Sequence, residues 1–284
     1  MQINEIKPLQ KVELDILLEA DKICKELDIK YYLIGGTLLG AVRHGGFIPW
    51  DVDIDIAMLR RDYEIFRDYC IKNNSTGKLF YEDYTTEKNH SECHAILKLK
   101  GTEVRYTTRS KDKYTLQHNG IYMDIFPLDF APNEYKKQKK QQHTIKFFSA
   151  LIQAKICRDY GAGKMKYLVK KVLSVVLKPV SFRKLQKVVD KTMQKYNNGP
   201  CDFVVSMASH YSYTKQLMPF EIYGEPKKIA FEGYEFFAPA KTEDYLKKLF
   251  GDYMKLPPEE SRYAVLDSLE YVDYGIYGDN VDIK

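Results

Sequence analysis

The chain has 284 residues, 44% of them hydrophobic and 29% charged, and a net charge of +5. This length fits one large domain or a domain with an appended subdomain, and the apolar content is enough for a full core, which excludes a disordered chain. The five cysteines are scattered and form no CxxC pair, which argues against a disulfide framework or structural zinc and favours a reducing compartment. Without a secretory pattern or a long apolar stretch, we expect a cytoplasmic protein.

The first half of the chain alternates helical and strand-like patterns. Apolar residues at helical spacing predict a helix from Leu9 to Leu27. A buried strand over 30–34, a Gly35-Gly36 turn and a short helix from Thr37 to His44 follow. The later predicted elements are a strand holding Asp53 and Asp55, a helix from Arg60 to Asn73, and strands over 79–84, 94–99, 104–107 and 120–129, the last of which stops at Pro127. This order fits a compact α/β domain.

After residue 133 the hydrophobic period becomes helical. Two or three helices are predicted, with breaks around 161–163 and at Pro179. Residues 201–237 are mixed, with short strands, and a helix follows from Thr242 to Phe250. We therefore divide the chain into a catalytic core at 1–132, a helical arm at 133–198, and a mixed C-terminal segment at 199–284 that completes the domain.

Positive charge is concentrated in the helical arm. Between Glu134 and Lys195 there are 17 Lys and Arg against three acids, a net charge of +14, so the rest of the chain carries −9. A basic arm on an acidic body suggests an anionic partner, which is a membrane surface, a nucleic acid or a polyanionic acceptor. A solvated lysine face without a partner is the alternative.

Three aspartates alternate with apolar residues after the short helix. In a strand, Asp51, Asp53 and Asp55 share one face, because successive side chains point to opposite sides. Carboxylates crowded on one face repel one another unless a cation offsets their charge, and Mg²⁺ bound by carboxylates and substrate phosphates is the usual reason. We predict that Asp53 and Asp55 bind the metal and that Asp51 supports them. A solvated face of an edge strand is the alternative.

Asp124 is the candidate for a third carboxylate. It lies between Met123 and Ile125 in an apolar run, where an aspartate is costly unless it is paired or binds a metal. We predict a metal ligand or a general base for an acceptor hydroxyl. The structural alternative is an ion pair with a nearby Arg or Lys.

The Gly35-Gly36-Thr37 turn joins a buried strand to a helix. Amides at a helix N-terminus bind phosphate and glycines allow close approach, so the turn is a candidate phosphate site. Glycine that serves only the backbone geometry is the alternative. Arg43, at the other end of this helix, is suited to a bidentate phosphate contact, or it serves only the helix dipole.

Two sequence blocks resemble the LicD family, a branch of the nucleotidyltransferase-fold superfamily. The first is GGTLLGAVRH at 35–44 with GFIPWDVDID at 46–55, and the second is GIYMDIFPLD at 120–129. The segment from Phe250 to Pro258 is similar to the family's closing segment. The resemblance implies an α+β fold with a nucleotidyltransferase-like mixed sheet flanked by helices and an additional, mainly helical C-terminal region.

The resemblance also implies a chemistry. Family members include lipopolysaccharide and teichoic-acid cholinephosphotransferases and fukutin-related proteins. A divalent metal and a CDP-activated donor are implied, with transfer of a phospho-alcohol, typically phosphocholine, to a sugar hydroxyl. The implied metal ligands are Asp53, Asp55 and Asp124. The implied donor-phosphate residues are Gly35, Gly36 and Thr37. The family usually has Asp where this chain has Val52, which by strand parity faces away from the metal.

The sequence is compatible with three functions. The first is a LicD-like phosphotransferase acting on a glycan or lipid-linked glycan at the inner membrane face, with the arm on anionic lipid. The second is a nucleotidyltransferase acting on RNA or a small molecule, whose RNA binding would weaken steeply with salt. The third is a non-catalytic glycan-pathway binding protein of the same fold, which the crowded carboxylates disfavour. We favour the first and expect no nucleic-acid partner.

Overall fold

A seven-stranded mixed sheet forms the centre of the computed structural model, which describes residues 3–106, 116–156, 164–262 and 269–280. The strands of the protein are β1 (Tyr32–Leu33), β2 (Asp55–Leu59), β3 (Leu79–Glu82), β4 (Ala95–Leu99), β5 (Glu103–Tyr106), β6 (Tyr122–Ala131), β7 (Phe203–Val205), β8 (Met218–Pro219), β9 (Lys227–Phe231), β10 (Tyr234–Ala238) and β11 (Leu269–Asp273). The main sheet runs β1-β2-β6-β4-β3, and β7 and β8 extend it from β6. Two small sheets pair β5 with β11 and β9 with β10.

Helices cover this sheet and extend beyond it. They are α1 (Ile3–Glu26), α2 (Gly35–His44), α3 (Arg60–Asn73), α4 (Tyr135–Ile156), α5 (Lys164–Val176), α6 (Phe182–Met193), α7 (Tyr213–Gln216), α8 (Phe220–Tyr223), α9 (Thr242–Phe250) and α10 (Glu259–Arg262), with 3₁₀ turns at Gln194–Tyr196 and Gly275–Asn280. The α+β class is therefore confirmed, and the helix predicted from Arg60 to Asn73 has the predicted bounds. Within the described ranges, no helix combines the length and the apolar character needed to cross a bilayer.

β2 begins at Asp55, so the prediction that Asp53 also lies in this strand is wrong. The Asp51 amide donates to the Ile48 carbonyl oxygen at 2.9 Å, so a turn precedes residues 52–54, which lie outside the sheet. The alternation of the sequence nevertheless persists, since Val52 and Ile54 are buried while the aspartates are partly exposed. The three carboxylates thus share one side without sharing a strand.

β6 continues through Pro127, which corrects the prediction that it stops there. A proline has no amide proton, so it is tolerated where no neighbouring strand needs one. The antiparallel pairing of β4 ends at Ile125 of β6, and that of β7 begins at Asp129. Pro127 lies between the two neighbours, so its missing proton leaves no ladder bond unmade on that side.

The helical arm is joined to the sheet by a second hydrophobic cluster and a buried ion-pair network. The cluster contains Ile145, Ile152, Leu185, Val189 and Val205 from α4, α6 and β7. The Arg60 guanidinium on α3 contacts the Asp129 carboxylate of β6 at 2.5 Å and the Asp190 carboxylate of α6 at 3.0 Å. The predicted break at Pro179 lies between α5 and α6, and the one around 161–163 falls outside the described residues.

The C-terminal segment contributes directly to the sheet and to the helix that holds the glycine turn. β7 and β8 belong to the same sheet as β6, and α9 packs against α2. The division at residues 132 and 198 stays a prediction about domains, but strands from both sides of it build a single sheet.

Candidate active site

Three carboxylates meet where β2 and β6 run side by side. Asp55 and Asp124 are register partners on these parallel strands, and the Asp124 amide donates to the Ile54 carbonyl oxygen at 2.8 Å. Asp53, Asp55 and Asp124 each offer one oxygen, and the three oxygens lie within 4.8 Å of one another. Carboxylate oxygens at this spacing are the kind of ligand set that Mg²⁺ takes from proteins. The sequence prediction named the same three residues.

The electrostatics of this cluster favour a bound cation. Burial, followed by the charges of Asp53 and Asp124, raises the pKa of Asp55 well above its ordinary value. Burial and the Asp53 charge likewise raise the pKa of Asp51, whose carboxyl group is hydrogen bonded to that of Asp53. The raised pKa values of Asp51 and Asp55 mean that their negative charges are unfavourable without a nearby positive charge, so the donor set fits a divalent cation. Asp51 contacts Asp53, and its supporting role at the site stays a prediction.

Both glycines of the turn leave room for these carboxylates. Gly35 has a φ of +55°, and a Cβ built on it would lie 2.8 Å from Asp55 Oδ2. A Cβ on Gly36 would lie 2.6 Å from Asp51 Oδ2. The carboxylates therefore approach the N-terminus of α2, whose positive end favours negative charge. The turn thus has a second reason to contain glycine besides the predicted phosphate contact.

Two hydroxyl groups fix the turn against its neighbours. The Asp55 amide donates to Thr37 Oγ1 at 2.8 Å, and the Gly35 amide donates to the Tyr245 hydroxyl oxygen at 3.1 Å. Thr37 is buried, and its hydroxyl group connects α2 to the start of β2. Donor-phosphate binding by Gly35, Gly36 and Thr37 stays a prediction, and Gly35 is the one of the three that lines the cavity described next.

A cavity of about 400 Å³ opens beside the carboxylates. Asp53, Asp55 and Asp124 lie on one side of it. The other walls come from the loop before β4, from α4, from the segment around Met207–Tyr211 and from α9. The aromatic and imidazole side chains that line it are His94, Phe126, His210, Tyr211 and Tyr245. With a cation bound to the clustered carboxylates, such a cavity would suit a ligand that has an anionic part, and the aromatic rings at the other walls would suit an apolar or cationic part.

Two cavity histidines were not among the predicted site residues. His94 Nε2 lies 3.3 Å from Asp124 Oδ1, and the His94 ring stacks on Phe126 with centroids 4.4 Å apart. Burial, with a smaller effect from His94, lowers the pKa of His210, which favours its neutral form. His94 follows His90 by four residues, but this segment has the pattern of a loop and then a strand, so the spacing does not predict a zinc site. His210 has no histidine or cysteine within five residues, so no local pattern indicates its place.

Glu13 is a buried carboxyl group below the site. It lies on α1 and is 2% exposed, and its Oε2 atom has no hydrogen-bond partner among the described residues. Burial, then the charges of Asp53 and Asp51, raises the pKa of Glu13 well above its ordinary value. The signal in the sequence was an acid at helical spacing with the core residues Leu9 and Leu17.

We expect Glu13→Gln to raise the free energy of unfolding at neutral pH, because burial raises the pKa of Glu13 in the folded state and the glutamine variant has no such group to titrate. In the wild type the folded state keeps this proton above the ordinary glutamic acid pKa of 4.5, while the unfolded state loses it. Stability therefore falls as pH rises, and the glutamine variant should show a shallower fall. Denaturant unfolding at about pH 5 and about pH 8 measures the difference. The exposed Glu260→Gln is the matched control, and an unchanged slope in Glu13→Gln would contradict the assignment.

Arg43 lies outside the cavity lining that the described residues form. Its guanidinium Nη1 donates to the Tyr253 carbonyl oxygen at 2.9 Å, and its Nε is 3.4 Å from His44 Nδ1. Phosphate binding by Arg43 stays a prediction, and the structure adds a structural role in which it joins the end of α2 to the C-terminal segment.

Comparisons with known proteins identify the family of this chain. A family model described as "LicD/FKTN/FKRP, nucleotidyltransferase domain" matches residues 28–155. "Lipopolysaccharide cholinephosphotransferase LicD" of Haemophilus influenzae is 32% identical over 268 residues, which are 90% of this chain and 94% of that protein. The chain belongs to the LicD family. It is therefore a LicD-type transferase of the class that moves phospho-alcohols to glycans.

A shorter match links the chain to a second LicD-type transferase. "Ribitol 5-phosphate transferase FKRP" of human and of mouse is 53% identical over 34 residues, which are 12% of this chain and 7% of each relative. The family model includes all three clustered aspartates, but its matched range ends before His210, Tyr211 and Tyr245. Val52, which strand parity predicted to face away from the aspartates, is buried in the main core.

Proposed function

We propose that this chain transfers phosphocholine from a CDP-activated donor to a hydroxyl of a cell-surface glycan precursor, such as a lipopolysaccharide or teichoic-acid precursor, with Mg²⁺ or another divalent cation. The observation that carries the proposal is the cluster of Asp53, Asp55 and Asp124 at the wall of the cavity. The relative that matches along nearly all of its length is named as a lipopolysaccharide cholinephosphotransferase, which supports phosphocholine over other groups.

The three aspartates are the residues that would hold the cation, with Asp51 placed to support Asp53. A bound divalent cation would neutralise phosphate oxygens and favour ionisation of the attacking hydroxyl. Gly35 lines the cavity at the N-terminus of α2, which supports a contact between this turn and the donor phosphates.

The transfer is a displacement at the phosphorus that carries the alcohol. The acceptor hydroxyl oxygen forms a bond to that phosphorus, the bond from phosphorus to the bridging diphosphate oxygen breaks, and CMP leaves with the electron pair. The hydroxyl proton passes to a carboxylate, for which we propose Asp124. His94 Nε2 lies close to Asp124 Oδ1 and can hold that carboxylate in position.

Tyr211 is the ring that we propose to recognise choline. It lines the same cavity as the three aspartates, and burial followed by the charges of Asp55 and Asp51 raises its pKa. We expect Tyr211→Ala to raise the KM for CDP-choline by about 3- to 30-fold, because a cation–π contact is worth about 0.5–2 kcal/mol. The KM for CDP-glycerol, which has no quaternary ammonium, should change less. Tyr211→Phe is the control that keeps the ring, and an equal loss with both donors would argue against this role.

A donor screen tests the proposed function. The chain is incubated with Mg²⁺, an acceptor extract and CDP-choline, CDP-ribitol or CDP-glycerol, and release of CMP is scored. We expect release from CDP-choline in preference to the other two. Release from CDP-ribitol or CDP-glycerol alone would reassign the alcohol, and no release from any donor would refute the proposal.

A further inference from the structure

α5 carries an apolar surface that faces solvent. Among the described residues with exposed large apolar side chains, this one helix of 13 residues holds five. We call them the α5 face: Leu168, Val169, Val172, Val175 and Val176, each more than half exposed. Single exposed apolar residues are common on protein surfaces, but a contiguous group is typical of an interaction site.

The α5 face is continuous along one side of the helix. At about 100° per residue, its five members fall within an arc of about 120°. Ser174, on the opposite side, is buried and donates to the Lys171 carbonyl oxygen at 2.8 Å. α5 is thus amphipathic with its apolar side turned outward, which is the reverse of a helix that packs on its own core.

Positive charge surrounds this face. Residues 160–189 contain eight Lys and Arg and no acid. Lys171 and Lys178 are exposed and lie at one edge of the apolar arc. An apolar stripe beside lysines is the composition of helices that lie in the interface of anionic bilayers. A second copy of the chain fits less well, because pairing two such faces would bring like charges together.

α5 is also connected to the cavity. It packs against α4, whose Ser149, Ile152 and Gln153 line the cavity. The buried Lys155 of α4 donates through Nζ to the Leu177 carbonyl oxygen, just after α5, at 3.0 Å. A surface bound by α5 would therefore lie one helix away from the cavity.

We propose that the α5 face docks on the surface of an anionic phospholipid membrane. Its valines and leucine enter the boundary between headgroups and acyl chains, and its lysines stay among the headgroups. The inference concerns lipid binding alone and does not depend on which group the active site transfers.

Vesicle flotation of the full chain tests it. The wild type should float with vesicles of phosphatidylcholine and phosphatidylglycerol and far less with phosphatidylcholine alone. Two double variants should each lower the partition coefficient by about tenfold or more. One combines Val172→Gln with Val176→Gln, and the other combines Lys171→Gln with Lys178→Gln. Because all four side chains are exposed, the melting temperature should stay unchanged.

Matched controls come from elsewhere on the surface. Ile276→Gln removes an exposed apolar side chain, and Lys227→Gln with Lys248→Gln removes two exposed charges, so both should float like the wild type. Equal flotation of the α5 variants and these controls would overturn the proposal, and so would a wild type that fails to float. A wild type that self-associates but does not bind lipid, and whose self-association is abolished by Val172→Gln with Val176→Gln, would overturn the proposal. It would assign the α5 face to a second copy of the chain instead. With a soluble acceptor, the α5 variants should release CMP at the wild-type rate. This assay therefore separates loss of membrane binding from loss of the proposed function.

Discussion

Replacing Asp55 with Asn is expected to abolish transfer while raising the melting temperature of the metal-free protein. The carboxylate is one of three within 4.8 Å, and burial and its neighbours raise its pKa. Without a metal, the negative charge of Asp55 destabilises the fold, so its removal should relieve repulsion and raise the melting temperature. The same charge is needed to bind a cation, so its removal should lower the rate of transfer by about 1,000-fold or more. CMP release and a thermal melt without added metal measure the two effects.

Asp53→Asn should behave in the same way, and Asp252→Asn is the control because its carboxylate is exposed and outside the cavity lining. A loss of rate together with a lower metal-free melting temperature would indicate a structural carboxylate. A retained rate would remove Asp55 from the site.

Gly35→Ala is expected to reduce transfer by about 100-fold or more through the position of a single methyl group. The substitution places a Cβ 2.8 Å from Asp55 Oδ2, and Asp55 must move or rotate to make room. A misplacement of this size near reacting groups is enough for a loss of that order. The backbone penalty for alanine at a φ of +55° adds about 1 kcal/mol of destabilisation.

Gly45→Ala separates the two effects. Gly45 ends the same helix with a φ of +72°, and a Cβ there would meet nothing within 4 Å. Both variants should lose similar stability, but only Gly35→Ala should lose most of its activity. Equal activities would show that the contact with Asp55 does not matter for transfer.

The sequence predicted Asp53 and Asp55 as a pair because the two are close together in the chain. Asp53 and Asp55 follow the glycine turn within 20 residues, and alternation alone placed them opposite the buried Val52 and Ile54. The strand itself was predicted to begin too early, because the Asp51–Ile48 turn is invisible to a test of alternation.

The walls of the cavity could not be predicted in the same way. His210, Tyr211 and Tyr245 reach the site through β7 and α9, which pack against elements formed much earlier in the chain. Long-range packing of this kind has no local period. Pro127 shows the same limit, since a strand tolerates proline only where its neighbours leave a gap, and the gap depends on the sheet order.

Arg43 and Glu13 show two different limits. The Arg43 side chain has a charge that suits phosphate, but its contact is a carbonyl oxygen more than 200 residues away in the chain, at Tyr253. Glu13 could have been noticed, since it interrupts the apolar side of α1. An acid at a core position is a reason to look for a nearby cation or a shared proton.

Electron paramagnetic resonance of bound Mn²⁺ measures whether the clustered aspartates hold one divalent cation for transfer. With CDP-choline present, the wild type should bind a single Mn²⁺ per chain, and Asp53→Asn and Asp55→Asn should lose it while remaining folded. Undiminished Mn²⁺ binding by both variants, or CDP-choline turnover by a wild type that binds no ion, would contradict a metal-binding role for the clustered aspartates.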